Sequence, residues 1–179
     1  MKSYGKVVAV FGAYRPTPGD PEYEKAVDLG RQIASAGWTL LNGGYDGTME
    51  GGARGARERG GRVIGVTVEV YSRHPNRFTT ETILTRDLWE RLRTMLERSN
   101  AFIALPGSTG TLAEVAMAWE FIEKKLMPPK PLILLGEFWA PFYRMFAPEA
   151  HGAPSRRNLV RVEPTVGEAI DFLQRYWKE

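Results

Sequence analysis

Ala101-Phe-Ile-Ala-Leu-Pro-Gly-Ser-Thr-Gly-Thr-Leu-Ala-Glu114 reads as a buried strand (Ala101 to Leu105), a glycine-bearing turn, and the opening of a helix. Pro106 ends the strand pairing because it has no N–H to donate. Gly107 and Gly110 permit backbone angles and close approaches that a Cβ would forbid. The helix after the turn aims its unpaired N–H groups, at the positive end of its dipole, into that turn, where an anion such as phosphate binds. Glu114 follows about one turn into the same helix. A phosphate cradle and a carboxylate thus lie within a few residues of each other. A single junction of this kind is also an ordinary strand–helix connection with an exposed glutamate. A second glycine-rich turn elsewhere in the chain weighs against that bland reading.

The second turn starts at Asn42 and runs to Ala56, with six glycines. That is too many for a helix chosen for stability, since each costs about 1 kcal/mol against alanine. It suits a backbone that must approach something closely. Around these turns the chain alternates strands and helices. Lys6 to Ala13 is a short apolar run of the kind buried on both faces. Asp20-Pro21 reads as an N-cap and first helical residue of a helix that stops at Gly37. Strands are expected at Trp38–Leu41, Arg62–Val68, Thr82–Thr85, Asn100–Leu105, Pro131–Leu135 and Leu159–Val162. Helices are expected at Asp87–Arg98, Thr111–Lys125, Phe138–Phe146 and Thr165–Trp177. Pro131–Leu135 is apolar enough to be a central strand. Glu69 to Glu81 is irregular and reads as a lid or an interface loop. The alternation implies one α/β domain over residues 1–179, a doubly wound, mostly parallel sheet with helices on both faces. In such sheets ligands bind at the carboxyl ends of the strands near the topological switch, and both glycine-rich turns follow strands.

The chain has 179 residues, 43% of them hydrophobic and 25% charged, with a net charge of +3, which is ordinary for a soluble globular domain. The arginines are dispersed with no aromatic-interleaved basic tract, so nucleic acid is not an expected partner. The absence of cysteine excludes disulfides, thiolate chemistry and Cys-based zinc sites, and fits a reducing, cytoplasmic setting. No apolar run approaches the length of a membrane span, and the N-terminal apolar run is too short for a secretion signal. The first strand–helix turn lacks G-x-G-x-x-G, and neither a P-loop nor a G-x-S-x-G elbow is present. His74 and His151 have no partner at metal-ligand spacing, and no metal or cofactor is expected.

Taken together, the two turns resemble the LOG family, the "lonely guy" phosphoribohydrolases long labelled "possible lysine decarboxylase". That family carries G-G-G-x-G-x-M-E-A-A-x-x-G-A and later P-G-G-x-G-T-x-x-E. Here Gly43-Gly44-Tyr45-Asp46-Gly47-Thr48-Met49-Glu50-Gly51-Gly52-Ala53-Arg54-Gly55-Ala56 matches the first, and Pro106-Gly107-Ser108-Thr109-Gly110-Thr111-Leu112-Ala113-Glu114 the second. The family's Arg-Lys pair falls on Arg91-Leu92, eight residues before Ser99-Asn100. The resemblance covers Val7 to about Trp139. Three positions depart from it: Tyr45 and Ser108 replace glycines, and Leu92 replaces the lysine.

The resemblance implies a Rossmann-like fold and hydrolysis of the N-glycosidic bond of a nucleoside 5′-monophosphate, with an AMP-like substrate. It places the catalytic pair on Arg91 and Glu114. It places phosphate binding on Gly107, Ser108, Thr109, Gly110 and Thr111, with the hydroxyls of Ser108 and Thr111 assisting. Gly43, Gly44, Gly47 and Glu50, together with Gly12 after the first strand, form the other nucleotide-facing loops. Glu50 fits helix-N-terminal placement as well as ligand contact, and Arg91 alone fits a surface residue paired with Glu90 or Asp87. Glu114, near a helix N-terminus, is expected to stay ionised. The competing class is a non-catalytic binder of a nucleotide or of a phosphate-bearing cofactor such as the molybdenum cofactor. The resemblance also implies a homodimer paired through the helices around the site. A pyridoxal-phosphate decarboxylase is disfavoured, because no lysine follows a strand at the ligand edge.

Overall fold

The structure is a computed structural model that describes residues 5–147 and 159–178. His151 lies outside the described residues. Among these residues seven strands form one all-parallel sheet: β1 (Val7–Phe11), β2 (Thr39–Asn42), β3 (Val63–Val68), β4 (Glu81–Thr85), β5 (Ala101–Ala104), β6 (Leu132–Leu135) and β7 (Val160–Glu163). Six α-helices accompany them among the described residues: α1 (Pro21–Ser35), α2 (Thr48–Glu58), α3 (Leu88–Arg98), α4 (Thr109–Glu123), α5 (Ala140–Phe146) and α6 (Val166–Tyr176), the last following β7. The strand order is β4-β3-β2-β1-β5-β6-β7. The chain winds outward from β1 to β4, then crosses to the other side of β1 and winds out to β7. The order therefore reverses between β1 and β5, which pair with Val10 opposite Ile103 and Phe11 opposite Ala104.

The sheet is covered on both faces, and β1 shows why its residues are all apolar. Val8 and Val10 pack with Leu29 and Ile33 of α1, Ala53 of α2 and Leu173 of α6. Val7, Ala9 and Phe11 pack with Met95 of α3 and with Val115 and Trp119 of α4. Alternate strand residues serve opposite cores, so neither face can be polar. The expectation for Pro131–Leu135 needs correction. β6 is fully buried but lies one strand in from the β7 edge, and β1 holds the centre. An unbroken apolar run reports helices on both faces, which β6 has, and not the middle position.

Asp20 occupies the N-cap position of α1, yet its carboxylate caps nothing. It turns back to accept from the Thr17 amide at 2.7 Å and the Thr17 hydroxyl at 2.9 Å, which shapes the preceding loop.

The glycines between Asn42 and Ala56 do form a helix over most of their length, because α2 starts at Thr48. Gly51, Gly52 and Gly55 lie on its buried side. A Cβ on Gly55 would sit 2.7 Å from the carbonyl carbon of Val27 and closer still to its oxygen, and one on Gly51 would sit 2.9 Å from the Tyr23 oxygen. The close approach inferred for this stretch is thus an approach of α2 to α1. Backbone-to-backbone packing offsets what glycine costs in a helix interior.

Candidate active site

The carboxyl ends of β1, β2 and β5 meet at the switch, and the turns that follow them are tied together. Leu105 donates its amide to the Phe11 carbonyl at 2.9 Å. The Thr111 hydroxyl donates to the Gly12 carbonyl at 3.0 Å, and the Thr48 amide and hydroxyl donate to the Ala13 carbonyl at 2.8 and 3.1 Å. Above them opens a cavity of about 430 Å³.

α4 begins at this wall. Ser108 takes the N-cap position without using its side chain as a cap, and the first intrahelical bond runs from Leu112 to the Ser108 carbonyl at 2.9 Å. The amides of Thr109, Gly110 and Thr111 therefore precede the helical ladder, at the positive end of the dipole. The hydrogen of the Thr111 hydroxyl is committed to Gly12, which leaves the Thr111 amide for an anion.

Glu114 and Arg91, from α4 and α3, meet inside this cavity. Arg91 Nη1 donates to Glu114 Oε1 at 3.4 Å, and the two side chains are 13% and 14% exposed. Arg91 Nε donates to the Val66 carbonyl at 2.8 Å, and its guanidinium lies 5.9 Å from the centre of the Tyr45 ring. Arg91 is therefore not the surface partner of Glu90 or Asp87; Glu90 is held by Arg86, and Asp87 caps α3. Gly43 lies directly under the guanidinium, where a Cβ would overlap Arg91 Nη2 and stand 2.6 Å from Met49 Sδ. Burial pushes the Glu114 carboxyl up to about 7, against the opposing pull of Arg91. The expectation that its place near the helix N-terminus keeps Glu114 ionised needs correction: it stands in the second turn of α4, beyond the first turn where the dipole acts, and burial raises its carboxyl.

Gly12, Gly43, Ser108, Gly110, Thr111, Arg91 and Glu114 all line the cavity. Gly107 and Thr109 line an adjoining hollow that shares Tyr14 and Ser108 with it. Gly44, Gly47 and Glu50 line neither. Gly44 presents its carbonyl to the Asn76 amide at 2.7 Å, Gly47 opens α2, and Glu50 lies in the first turn of α2 near the Tyr23 hydroxyl. Tyr14, Val70, Tyr71 and Arg73 line the cavity without having been singled out by sequence. The only hint of the last three was the irregular composition of residues 69–81. That segment is pinned by Asn76, whose side-chain amide donates to the carbonyls of Gly44 and Tyr45 at 3.1 and 2.9 Å. Arg93, two residues beyond Arg91, lines the groove between α3 and α4 instead. Among the described residues no lysine lines the cavity. Among the described residues no cluster of three or more His, Asp or Glu could hold a metal, and no helix is long and apolar enough to cross a membrane.

The sequence model of the SLOG cluster4 family matches residues 5–146, which include every residue of this site. The chain belongs to the SLOG cluster4 family. A cytokinin riboside 5′-monophosphate phosphoribohydrolase of Mycobacterium tuberculosis is 42% identical over 115 residues, covering 63% of this chain and 61% of that protein. The chain thus spans under two thirds of the length of the first relatives it matches. A protein of the same name from Rhodococcoides fascians is 32% identical over 176 residues, 92% of this chain and 87% of its own length. Among solved structures, the molybdenum cofactor binding protein of Rippkaea orientalis superposes with a TM-score of 0.79 at 26% identity, covering 98% of this chain and 99% of that one. The chain is accordingly similar both to proteins named for catalysis and to a protein named for binding a cofactor.

Proposed function

We propose that this protein is a nucleoside 5′-monophosphate phosphoribohydrolase, with AMP or a close analogue as substrate. The observation that carries the reading is the Arg91–Glu114 pair, set inside a cavity whose wall is the amino end of α4. The 5′-phosphate sits on the amides of Thr109 to Thr111 with the Ser108 hydroxyl, and the ribose extends toward Glu114. The C1′–N bond breaks and its electron pair leaves with the base, which takes up a proton from solvent. Water bonds to C1′, and its proton passes to Glu114. As the sugar gains oxocarbenium character, the Glu114 carboxylate also stabilises its positive charge. A carboxyl titrating near neutrality exists in both states at the working pH, which suits a group that accepts and returns a proton. Arg91 holds Glu114 in place and is within reach of sugar hydroxyls or the departing base.

Purified protein incubated with AMP, GMP, CMP and UMP is expected to release adenine and ribose 5-phosphate, read by chromatography. The second reading, a carrier of a phosphate-bearing cofactor, is supported by the likeness to the Rippkaea orientalis protein. Nucleotide-dependent thermal stabilisation without base release from any of the four would select it over hydrolysis.

The protein also acts as a homodimer in this reading. The face between α3 and α4 carries an apolar groove of about 640 Å³ lined by Leu92, Leu96, Met117, Phe121 and Met127. Trp89, 77% exposed, stands at its rim. A second copy covers this face, next to the helices that supply Arg91 and Glu114. Sedimentation is expected to give twice the 20.1 kDa chain mass for the wild type and the single-chain mass for Trp89→Glu. A wild-type mass of one chain at micromolar concentration contradicts the dimer.

A further inference from the structure

Tyr45 has more holding it than a turn residue needs. It is 4% exposed and lines the cavity. Its hydroxyl accepts from the Val68 amide at 2.9 Å and donates to the Val68 carbonyl at 3.3 Å, so the tip of the ring is fixed to the end of β3. Its own carbonyl accepts from Asn76 Nδ2 at 2.9 Å, so the backbone is fixed as well. Anchored at both ends, the ring cannot swing aside for a larger ligand. To move it would leave the polar groups of Val68 without their partner in a buried place.

The opposite holds for Tyr71, whose ring centre is 5.7 Å from that of Tyr45. Tyr71 is 46% exposed and Val70 is also exposed, although both line the cavity. The short 3-10 turn Glu69–Tyr71 and the left-handed Ser72, at φ 46°, bring Val70, Tyr71 and Arg73 to one cavity. An extended segment, which alternates sides, would not. One end of the site is therefore aromatic, with one rigid ring, one that a ligand would cover, and Arg73 on the same turn.

The two ends are set apart by the sheet. β5, β1, β2 and β3 are consecutive neighbours, and three steps between strands span about 14 Å. The amides of α4 lie at the β5 end and the anchor of Tyr45 at the β3 end. Arg91 reaches Glu114 between them, across Gly43. A mononucleotide with its phosphate on α4 and its sugar at Glu114 directs its base at Tyr45 and Tyr71.

Resting on the nucleotide-hydrolase reading above, we propose that Tyr45 determines specificity as the fixed wall of a base subsite. It admits a flat, unsubstituted nucleobase and excludes one with a bulky alkyl or aryl group on its exocyclic amine. Exclusion by an immovable side chain is a repulsive device, and it acts whatever the favourable contacts elsewhere.

The test compares kcat/KM for AMP and N6-benzyl-AMP in the wild type, Tyr45→Phe and Tyr45→Ala. The wild type is expected to prefer AMP by roughly 10- to 200-fold, the range that one apolar-pocket mismatch commands. Tyr45→Phe keeps the ring but frees its tip from Val68, so the preference narrows, and Tyr45→Ala brings the ratio close to unity. Because Tyr45 also touches Arg91, the absolute rates of both substrates will fall, but a merely structural role leaves their ratio unmoved. If Tyr45→Ala does not fold, Tyr45→Leu gives the same readout with less space opened. Equal use of both nucleotides by the wild type overturns the inference, as does an unchanged ratio in a folded Ala or Leu variant. If neither nucleotide is cleaved, the same ratio is read as Kd by calorimetry. A preserved preference for AMP then upholds the Tyr45 wall while removing the hydrolase reading, and failure to bind either overturns both.

Discussion

Replacing Glu114 by glutamine is expected to lower base release by at least about 100-fold while making the protein more resistant to heat above neutral pH. Both effects follow from one buried carboxyl. Glutamine keeps the shape but can neither take a proton from water nor neutralise an oxocarbenium-like sugar, so turnover falls. The wild-type rate itself should climb with pH and level off above about 7, because only the ionised carboxylate works. The sign of the stability effect is set by burial, which raises this carboxyl from 4.5 to about 7. Between those values the native state holds a proton that the unfolded chain has released. Stability therefore falls as pH rises through the window, by at most about 3 kcal/mol once pH exceeds 7. Glutamine carries no charge to desolvate and escapes that loss. Thermal melts should show Glu114→Gln well above the wild type at pH 8 and much closer to it at pH 5. Comparing the two pH values cancels any pH-independent cost of weakening the contact with Arg91. Wild-type turnover in this variant would remove Glu114 from the mechanism. A melting difference that does not change with pH would show that another group titrates in this range.

Gly55→Val should cost at least about 3 kcal/mol and leave the protein largely unfolded at temperatures the wild type tolerates. The added Cβ would overlap the main chain of Val27, and a main chain inside a helix cannot rotate away as a side chain can. α2 would have to back off α1, opening the core that Ala26, Leu29, Ala53 and Ala56 fill. Gly110→Ala is the matched control. Nothing lies within 4 Å of the Cβ it would add, so its stability should equal or slightly exceed that of the wild type, since alanine is the better helix former. Urea unfolding of the two variants separates a glycine required for helix packing from one whose place is at a ligand-facing turn. Equal midpoints for Gly55→Val and the wild type would mean that α1 and α2 do not approach as closely as described.

These two substitutions also mark where sequence reading stops. Glu114 was legible as a candidate site residue because its spacing from Pro106 and Gly107 is a local property of one strand, turn and helix. Its protonation state was not, because desolvation sums over atoms of α3, α4 and the β2 turn that are far apart in the chain. The glycines from Gly43 to Gly55 were legible as an approach of backbone to something, but not to what. Gly43 lies under a guanidinium and Gly55 against α1, and glycine looks the same in both roles. Glu50 shares a motif with Gly43 yet lies outside the cavity, since α2 turns it toward Tyr23.

By itself, then, the sequence determined the alternation of strands and helices, the two glycine-rich turns on one edge of the sheet, and the family to which the chain belongs. These rest on periodicity, turn chemistry and motif spacing, all written within windows of about 15 residues or carried by the resemblance. The tertiary structure alone decided which strand is central, what the α2 glycines touch, and that Tyr14, Val70, Tyr71 and Arg73 join the site. It alone showed that Tyr45 is clamped to Val68 and that burial pushes the Glu114 carboxyl up to about 7. Each of these is a sum over neighbours distant along the chain, and burial, steric overlap and desolvation take definite values only once those neighbours are in place.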